Sequence, residues 1–377
     1  MCLESVGCFY LITYMLTNII TVSSSKLCLS LSLSHTHTHA RARIRADKSY
    51  MSLARIKDTS YDKSCVYEPS EDSFLLADAV VDEIWKKETS NARRRLSRRR
   101  RQRRLALDSE DYKNDGDDDD AFVSVEIGVG SGYVLCSHAM SFLEQQRRVR
   151  EEEEEESKRN NNERECQRKD EWRFIGVDVN EKAVEHAKET MRGHGLRVVG
   201  DDDDDDDNVA RRGGGGEAST SSSKTCSIEI FRGDMLEDDR FYHRDNDDDE
   251  NDKETRRRKK KPIDVLLFNP PYVVTPSEEI YDPSLSSDGT TASKPPPPIN
   301  AAWAGGVRGR EVVDRILYDV KSWLRPNGGT FLVVAYAQND VEEMMSILRR
   351  QEGLLVEKAK WTRADEESLV VLKAVRI

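Results

Sequence analysis

The stretch that most constrains the fold is a short apolar run, residues 263–268, that ends in Asn269-Pro270-Pro271-Tyr272. Consecutive large apolar residues predict a buried strand, and the double proline ends it because proline lacks a backbone donor and disfavours a helix. Asn269 is therefore predicted at the carboxyl end of a strand, where an open α/β sheet binds ligands. Its side-chain carbonyl and the adjacent backbone carbonyl can each accept one N–H from a planar –NH2 group, while Tyr272 can stack on that group. A strand followed by an ordinary proline turn is the alternative.

Charge is concentrated in blocks rather than spread along the 377 residues. Charged residues make up 34% of the chain and apolar residues only 37%, with a formal net charge of −12. Such blocks cannot bury enough apolar surface to become ordered, so we predict disordered inserts between the folded elements. The net charge therefore says little about what the folded part binds. The predicted inserts lie near residues 88–120, 145–171, 200–225, 238–262 and 281–298.

The amino-terminal part, residues 1–50, is predicted to be a low-complexity extension, and residues 51–377 a single domain. The most apolar segment of the extension, residues 9–22, is shorter than the ~18 residues of a membrane helix and lacks the basic start of a signal peptide. Residues 23–46 are rich in Ser, Thr and Arg without an acid, which leaves an organelle transit peptide as an alternative. We favour Met51 as the functional start.

Seven cysteines are present and no two have C-x-x-C spacing. Neither a metal site nor a disulfide framework is predicted, and a reducing compartment, the cytoplasm, is the simpler expectation. The basic residues 93–104 can be a nuclear-localisation signal or a nucleic-acid-binding patch, and the first makes the nucleus a second expectation. The acidic block that follows favours self-neutralisation and disorder instead.

Residues 123–132 predict a strand that runs into a glycine turn, with a helix over residues 133–143. The three glycines of the turn allow the backbone to approach a ligand, and the helix behind them offers free N–H groups. A dinucleotide-binding turn requires Gly or Ala where Tyr133 stands, so binding of NAD or FAD loses support. The pattern E-x-G-x-G-x-G, which starts at Glu126, suits S-adenosylmethionine better because that ligand has no pyrophosphate.

Two further predicted strands end in aspartate. Residues 172–180 predict a strand that ends in Asp178, which can accept hydrogen bonds from two ribose hydroxyls. Residues 226–235 alternate as a strand that ends in Gly-Asp. There Asp234 can accept from an adenine amino group, although Gly-Asp is also an ordinary turn.

Residues 66–85 predict a proline turn followed by a helix whose first residues Ser70 can cap. The inward face of this helix is predicted to consist of apolar side chains, namely Phe74, Leu75, Ala79, Ile84 and Trp85. The helix start can also present a hydroxyl to a ligand. A helix that only packs against the core is the alternative.

Beyond Tyr272, residues 299–311 contain glycines that permit tight turns, and Trp303 is predicted to pack over the site. The remaining sequence predicts alternating helices and strands closed by an antiparallel hairpin, which is the pattern of a seven-stranded methyltransferase. These elements are helices over 311–324 and 340–352 and strands over 330–336, 354–361 and 369–375.

With these motifs in order, the sequence resembles the HemK family, and most of all its eukaryotic branch, the catalytic subunits of release-factor glutamine methyltransferases. The resemblance runs from about Tyr61 to the carboxyl terminus apart from the inserts, and its most distinctive segments are NPPYVVTP and AAWAGG. It implies an α/β, seven-stranded Rossmann-like class I S-adenosylmethionine-dependent methyltransferase fold. It also implies methylation of the Gln in the Gly-Gly-Gln motif of a class I peptide release factor, and a heterodimer with a small zinc-binding activator subunit.

The resemblance also implies roles for individual residues. Position 73 is often Thr in the family, and the Ser found here keeps the hydroxyl. The substrate Gln would be held by Asn269, Pro270, Pro271 and Tyr272. The S-adenosylmethionine pocket would be lined by Ser73, Glu126, Gly128, Gly130, Asp178, Asp234, Met235 and Asn269.

Two other functions compete with this interpretation. Nucleic-acid amino-methyltransferases, acting on adenine N6 or cytosine N4, use the same amide arrangement on a flipped base, but a basic groove for nucleic acid is not found outside the charge blocks. A non-catalytic scaffold could keep the fold and bind partners through its acidic inserts. The intact glycine turn, Asp178 and Asn269 argue against a scaffold.

Overall fold

The computed structural model of the chain describes residues 64–86, 121–160, 172–200, 226–243, 258–281, 299–362 and 368–377. The predicted extension of residues 1–50 lies outside these ranges, and the predicted inserts fall wholly or partly outside them. Their disorder and the domain boundaries therefore stay predictions.

Helices and strands alternate along the described residues. The helices are α1 (Glu71–Val80), α2 (Tyr133–Asn160), α3 (Glu181–Gly193), α4 (Glu311–Leu317), α5 (Val320–Trp323) and α6 (Val341–Arg350). The strands are β1 (Phe122–Ile127), β2 (Trp172–Asp178), β3 (Cys226–Arg232), β4 (Val265–Phe268), β5 (Thr330–Tyr336), β6 (Leu354–Trp361) and β7 (Leu369–Arg376). Among these described elements, no helix combines the length and apolarity needed to cross a bilayer.

The seven strands form a single sheet in the order β3-β2-β1-β4-β5-β7-β6. Strands β1 to β5 are parallel to their neighbours, whereas β7 runs antiparallel to both β5 and β6. All four residues of β4 are buried, as expected for a parallel strand with helices on both faces. The predicted α/β methyltransferase fold with its carboxyl-terminal antiparallel hairpin is confirmed.

The core lies on both faces of the sheet, and β4 divides its side chains between them. Val265 and Leu267 pack on the face covered by α1, whereas Leu266 and Phe268 pack with α4, α5 and α6 on the other face. A further apolar cluster joins α2 and α3 to β2 and β3. This three-layer arrangement leaves the carboxyl ends of the central strands open for a site.

Helix α2 is longer than the sequence predicted. It was expected to end at residue 143, with a disordered insert from residue 145, but its backbone is helical through Asn160. Exposed ion pairs support the extension, because Arg147 bonds to Glu144 and to Glu151 at helical spacing. Each such pair adds only ~0.2–0.5 kcal/mol to a helix, and alternating charge blocks supply several.

The helix predicted over residues 311–324 is broken into α4 and α5. The side chain of Gln351 bonds to the backbone on both sides of the break. Its Oε1 accepts from the Lys321 N–H at 2.9 Å, and its Nε2 donates to the Leu317 carbonyl at 2.8 Å. A partner distant in sequence therefore satisfies backbone groups that a continuous helix would have paired.

Both ends of the predicted insert at 238–262 belong to the folded structure. Phe241 is buried, and the neighbouring Tyr242 forms an antiparallel bridge with Lys260. The backbone N–H of Lys261 donates to the Phe241 carbonyl at 2.8 Å. The assignment of these flanks to a disordered insert was wrong. The apolar pair Phe241 and Tyr242 stands between charge blocks in the sequence but packs against the core.

Candidate functional site

A cavity of about 790 Å³ lies at the carboxyl ends of β1, β2, β3 and β4. Nine of the residues predicted for the site line it, namely Ser73, Glu126, Gly128, Gly130, Asp178, Asp234, Met235, Asn269 and Pro271. Pro270 and Tyr272 are absent from the described lining. The sheet thus brings together residues that are as much as two hundred positions apart in the chain.

The glycine turn after β1 forms one wall. Gly128 and Gly130 have φ of +65° and +51°, a region that favours glycine. Gly132 has a different purpose from the one predicted, because a Cβ there would lie 2.9 Å from the Cα of Ala187 on α3. Its missing side chain allows close packing against α3 rather than approach to a ligand.

Glu126 is 2% exposed, and its Oε2 has no hydrogen-bond partner among the described residues. Burial raises the pKa of Glu126 well above its ordinary value, a backbone hydrogen bond from Leu135 opposes that rise, and the charge of Asp178 adds to it. A buried carboxyl group at a cavity wall, with one oxygen that has no partner among the described residues, is suited to a cationic ligand group, which would favour the ionised form.

Asp178 differs from Glu126 because both of its carboxylate oxygens are hydrogen-bonded. Oδ2 accepts from the Gly130 N–H at 2.9 Å and Oδ1 accepts from the Asn180 N–H at 2.8 Å. Burial raises the pKa of Asp178, and these two hydrogen bonds oppose the rise. Each oxygen can accept a further bond, so the carboxylate can orient the glycine turn and still receive hydroxyl groups.

Asp234 is paired with a residue that the sequence analysis missed. Its Oδ2 lies 2.7 Å from Nη2 of Arg315 on α4, and its Oδ1 accepts from the Leu236 N–H at 3.0 Å. Arg315 also lines the cavity. An adenine amino group would therefore share Asp234 with a guanidinium. No pattern in the sequence marks Arg315, because it lies within an ordinary amphipathic helix.

Asn269 follows β4 directly and is half-buried at the cavity. Its Oδ1 is buried without a hydrogen-bond partner in the described part of the chain. The preceding residue, Phe268, places Cε2 at 3.9 Å from where a Cβ on Gly128 would stand. Because Ile127 of β1 is paired with Phe268 of β4, Asn269 lies beside the start of the glycine turn. Its Oδ1 is an acceptor that none of the described residues pairs.

Known proteins resemble this chain. Methyltransferase HEMK2 from Homo sapiens is 42% identical over 110 residues, which are 29% of this chain and 44% of that protein. The eRF1 methyltransferase catalytic subunit mtq2 from Schizosaccharomyces pombe is 36% identical over 114 residues, which are 30% of this chain and 43% of that protein. The resemblance to HemK-type methyltransferases is confirmed. The chain spans less than half the length of these curated relatives.

No family model matches the chain. Among solved structures, the Mtq2–Trm112 complex of E. cuniculi, described as methylating the eRF1 translation termination factor, is 16% identical with a TM-score of 0.35. The alignment covers 83% of this chain and 99% of that chain. A TM-score this low supports no conclusion about fold or function.

The cavity fits S-adenosylmethionine, the cofactor expected of a HemK-type enzyme. Oε2 of Glu126, which has no partner among the described residues, suits a positively charged group, and the carboxylate of Asp178, whose oxygens can each accept one more bond, suits ribose hydroxyls. Met235 is buried at the wall beside Asp234 and offers an apolar contact for a planar base. Each of these residues was predicted for the cofactor, and their individual roles stay predictions.

Tyr272, the last residue of the tetrapeptide Asn269-Pro270-Pro271-Tyr272, bonds to the start of helix α1. The Tyr272 hydroxyl donates to Oδ2 of Asp72 at 3.1 Å, and Asp72 is 3% exposed. Oδ1 of Asp72 also receives the hydroxyl of Ser70 at 2.7 Å. Ser70 stands at the predicted cap position of α1, but its side chain makes no hydrogen bond to the helix backbone. The bond to Asp72 fixes the hydroxyl end of Tyr272 but does not test whether its ring stacks on a substrate, so the stacking role stays a prediction.

Two aromatic residues lie elsewhere than expected. Phe74 is 46% exposed and meets Tyr133 edge-on at 5.1 Å, so it does not belong to the inward face of α1. Trp303 is half-buried but outside the described lining, which here consists of neighbouring alanines. Small side chains, rather than an aromatic ring, therefore form this part of the wall.

Proposed function

We propose that this chain is an S-adenosylmethionine-dependent protein glutamine methyltransferase. Its substrate is the Gln side-chain amide in the Gly-Gly-Gln motif of a class I peptide release factor. The observation that carries the proposal is the buried Oδ1 of Asn269 at the end of β4, beside the glycine turn, which has no hydrogen-bond partner in the part of the chain that the structure describes. The names of the human and fission yeast relatives, a methyltransferase and an eRF1 methyltransferase subunit, support the same activity.

The chain would hold the cofactor with the residues of the cavity wall. Asp178 and Asp234 provide acceptors for ribose and adenine, and Glu126 faces the charged part of the ligand. S-adenosylmethionine supplies an electrophilic methyl group on a sulfonium. Ser73, at the same wall, offers a hydroxyl.

The chemical task of the tetrapeptide is orientation. An amide nitrogen is a poor nucleophile because its lone pair is shared with the carbonyl. Oδ1 of Asn269 and the Pro270 carbonyl oxygen can each accept one N–H of the substrate amide, which favours pyramidal geometry and directs the lone pair to the methyl carbon. Such alignment can be worth ~7 kcal/mol or more of the barrier. The methylated nitrogen then loses its proton readily, so no strong base is required.

The active form is proposed to be a heterodimer with a small activator subunit, zinc-binding by family resemblance. The description of the fission yeast relative as a catalytic subunit supports a second subunit. We place the complex in the cytoplasm, with the nucleus as the second expectation.

The proposal is tested with the full chain, co-expressed with an activator subunit of this type and incubated with labelled S-adenosylmethionine and a release-factor domain. We expect labelling of that domain and none when its motif Gln is replaced by Ala. Asn269→Ala should reduce transfer by at least ~100-fold while the Kd for S-adenosylmethionine changes little, because the amide acts on the substrate nitrogen. Calorimetry measures that Kd, and equal loss of both would contradict the role.

Two results would favour the competing functions. Labelling of DNA or RNA but not of the release factor would indicate a nucleic-acid amino-methyltransferase. Failure to bind S-adenosylmethionine would indicate a non-catalytic scaffold.

A further inference from the structure

The side-chain amide of Asn339, just after β5, connects the tetrapeptide to the rest of the fold. Asn339 is 1% exposed. Its Nδ2 donates to the backbone carbonyl oxygens of Tyr272 at 2.8 Å and Arg308 at 3.0 Å. Its Oδ1 accepts from the backbone N–H of Tyr336 at 2.7 Å. One buried side chain thus joins the end of a central strand to two loops at the site.

These two loops are also joined to each other. The Val273 N–H donates to the Trp303 carbonyl at 2.9 Å, and the Val273 carbonyl accepts from the Gly305 N–H at 2.8 Å. A Cβ on Gly305 would lie 2.6 Å from the Pro271 carbonyl oxygen. The tetrapeptide and the loop behind it therefore form one packed unit, and Asn339 bonds to both parts.

The backbone closes tightly around the Tyr272 carbonyl. Gly309 has φ of +64°, and a Cβ there would overlap both that carbonyl oxygen and the Asn339 amide nitrogen. A bulkier residue at position 309 would displace the loop. Only the absence of a side chain lets the Asn339 amide reach the carbonyl of the motif.

Two residues next to the hydrogen-bond network of Asn339 have a left-handed backbone conformation. Arg308 and Asp340 have φ of +61° and +54° although neither is glycine. Their side chains are paired at 3.0 Å, and Glu343 pairs with Arg308 and with the buried Arg310. Left-handed backbone at such residues persists only where neighbours enforce it, and it concentrates at functional sites.

We propose that Asn339 is a positioning residue for methyl transfer. By fixing the Tyr272 carbonyl, it sets where Asn269 and Pro270, three and two positions earlier in the chain, present their acceptors. Asn339 does not belong to the described cavity lining, so it acts through the tetrapeptide rather than on a ligand. The inference rests on the proposed function and adds to it a residue that controls orientation.

The first test is Asn339→Asp, which keeps the shape and the oxygen that accepts from Tyr336. It replaces the donor with an acceptor that faces the carbonyls of Tyr272 and Arg308. In the complex with its activator subunit we expect kcat for the release-factor domain to fall ~100-fold, since small displacements at a reacting centre have effects of that size. The Kd for S-adenosylmethionine should stay within about threefold of wild type, because Asn339 does not line the cavity that would hold the cofactor.

The matched control is Gln338→Glu, the same amide-to-carboxylate change at the exposed neighbouring residue. It should behave as wild type. A kcat for Asn339→Asp within threefold of this control, or a kcat and an affinity that fall equally, would overturn the inference.

Hydrogen exchange of the ligand-free protein supplies a readout that needs no substrate. The amides of Val273 and Gly305 should exchange at least ~10-fold faster in Asn339→Asp, the factor expected for loss of a buried hydrogen bond, while those of β1 are unchanged. If the wild-type protein transfers no labelled methyl group to the release-factor domain, the proposed function fails. The rates of hydrogen exchange then test by themselves whether Asn339 holds the two loops in place. Unchanged exchange would overturn the inference. Should Asn339→Asp not fold, Asn339→Ser is measured by the same criteria.

Discussion

Glu126 and Asp178 show how two carboxylates at one glycine turn acquire different properties. Asp178 receives two backbone N–H bonds, whereas Oε2 of Glu126 is buried without a partner among the described residues. Burial therefore has its largest effect on Glu126, whose pKa is raised well above 4.5. In the ligand-free protein burial thus favours the protonated form of Glu126, whereas a cationic ligand would favour the ionised form.

The raised pKa of Glu126 predicts a measurable effect of the substitution Glu126→Gln. The raised pKa of Glu126 stabilises the folded state below its ordinary pKa, and this contribution is lost as pH rises through the folded-state pKa. The variant, which is neutral at every pH, should therefore unfold at a higher temperature than wild type near pH 7.5, with the difference vanishing toward about pH 4. Binding of S-adenosylmethionine should weaken roughly tenfold or more, because a charge-assisted contact is removed.

Differential scanning calorimetry of the ligand-free proteins and titration with the cofactor measure the two effects. A variant that is less stable than wild type across this range, or that binds the cofactor equally well, would show that the Glu126 carboxyl has another partner.

Residues that act through distant partners escaped the sequence analysis. Asp72 meets Tyr272 across 200 positions, and Asn339 meets it across 67. Neither belongs to a local pattern, since an acid at a helix start and an asparagine after a strand are both common. The residues found from sequence, such as Asp178 and Asn269, follow predicted strands directly, and a parallel sheet places all such positions at one edge.

At the scale of elements, the packing of α2 against α3 depends on one glycine. Gly132 has φ of +78°, and a Cβ there would lie 2.9 Å from the backbone of Ala187. We expect Gly132→Ala to lower the free energy of unfolding by ~1–3 kcal/mol, from backbone strain together with overpacking. Chemical denaturation measures this change.

The control for that variant is Gly193→Ala. Gly193 is the last residue of α3, and a Cβ there would meet no heavy atom of the described residues within 4 Å outside its own stretch of helix, so this change should be neutral or slightly stabilising. Equal stability of the two variants would mean that α2 can move away from α3 without loss.

The bounds of a helix or strand could be predicted where a single sequence pattern was clear. Strand β5 coincides with its predicted range 330–336, because a continuous apolar run between a glycine pair and a polar turn permits little else. The end of α2 was missed since charge blocks were taken as disorder. The break between α4 and α5 could not be foreseen, because Gln351 supplies the missing backbone partners from beyond β5.

For the whole molecule, two predicted inserts leave and re-enter the fold at almost the same point. The Val199 N–H donates to the Ile228 carbonyl at 2.7 Å, and the His243 N–H donates to the Lys259 carbonyl at 2.8 Å. The segments between these pairs can therefore vary in length without a change in the strands that follow. This geometry explains how a methyltransferase fold accommodates long charged sequences.

We predict that residues 202–224 can be replaced by a loop of about four Gly and Ser residues. The shorter loop should raise the free energy of unfolding by ~1–2 kcal/mol, since loop closure becomes less costly, and leave cofactor binding unchanged. A Gly/Ser loop of the original length is the control and should match wild type. Loss of folding or of cofactor affinity in both variants would mean that the native insert contributes contacts to the domain.

The cavity wall draws on segments from residue 65 to residue 316. A ligand in this cavity contacts segments that separate when the protein unfolds. Ligand binding therefore requires that the whole sheet is folded. At a ligand concentration one hundred times its Kd, such bridging adds about 2.7 kcal/mol to the folded state. Truncated fragments that retain only the first three strands should accordingly show no thermal shift with S-adenosylmethionine.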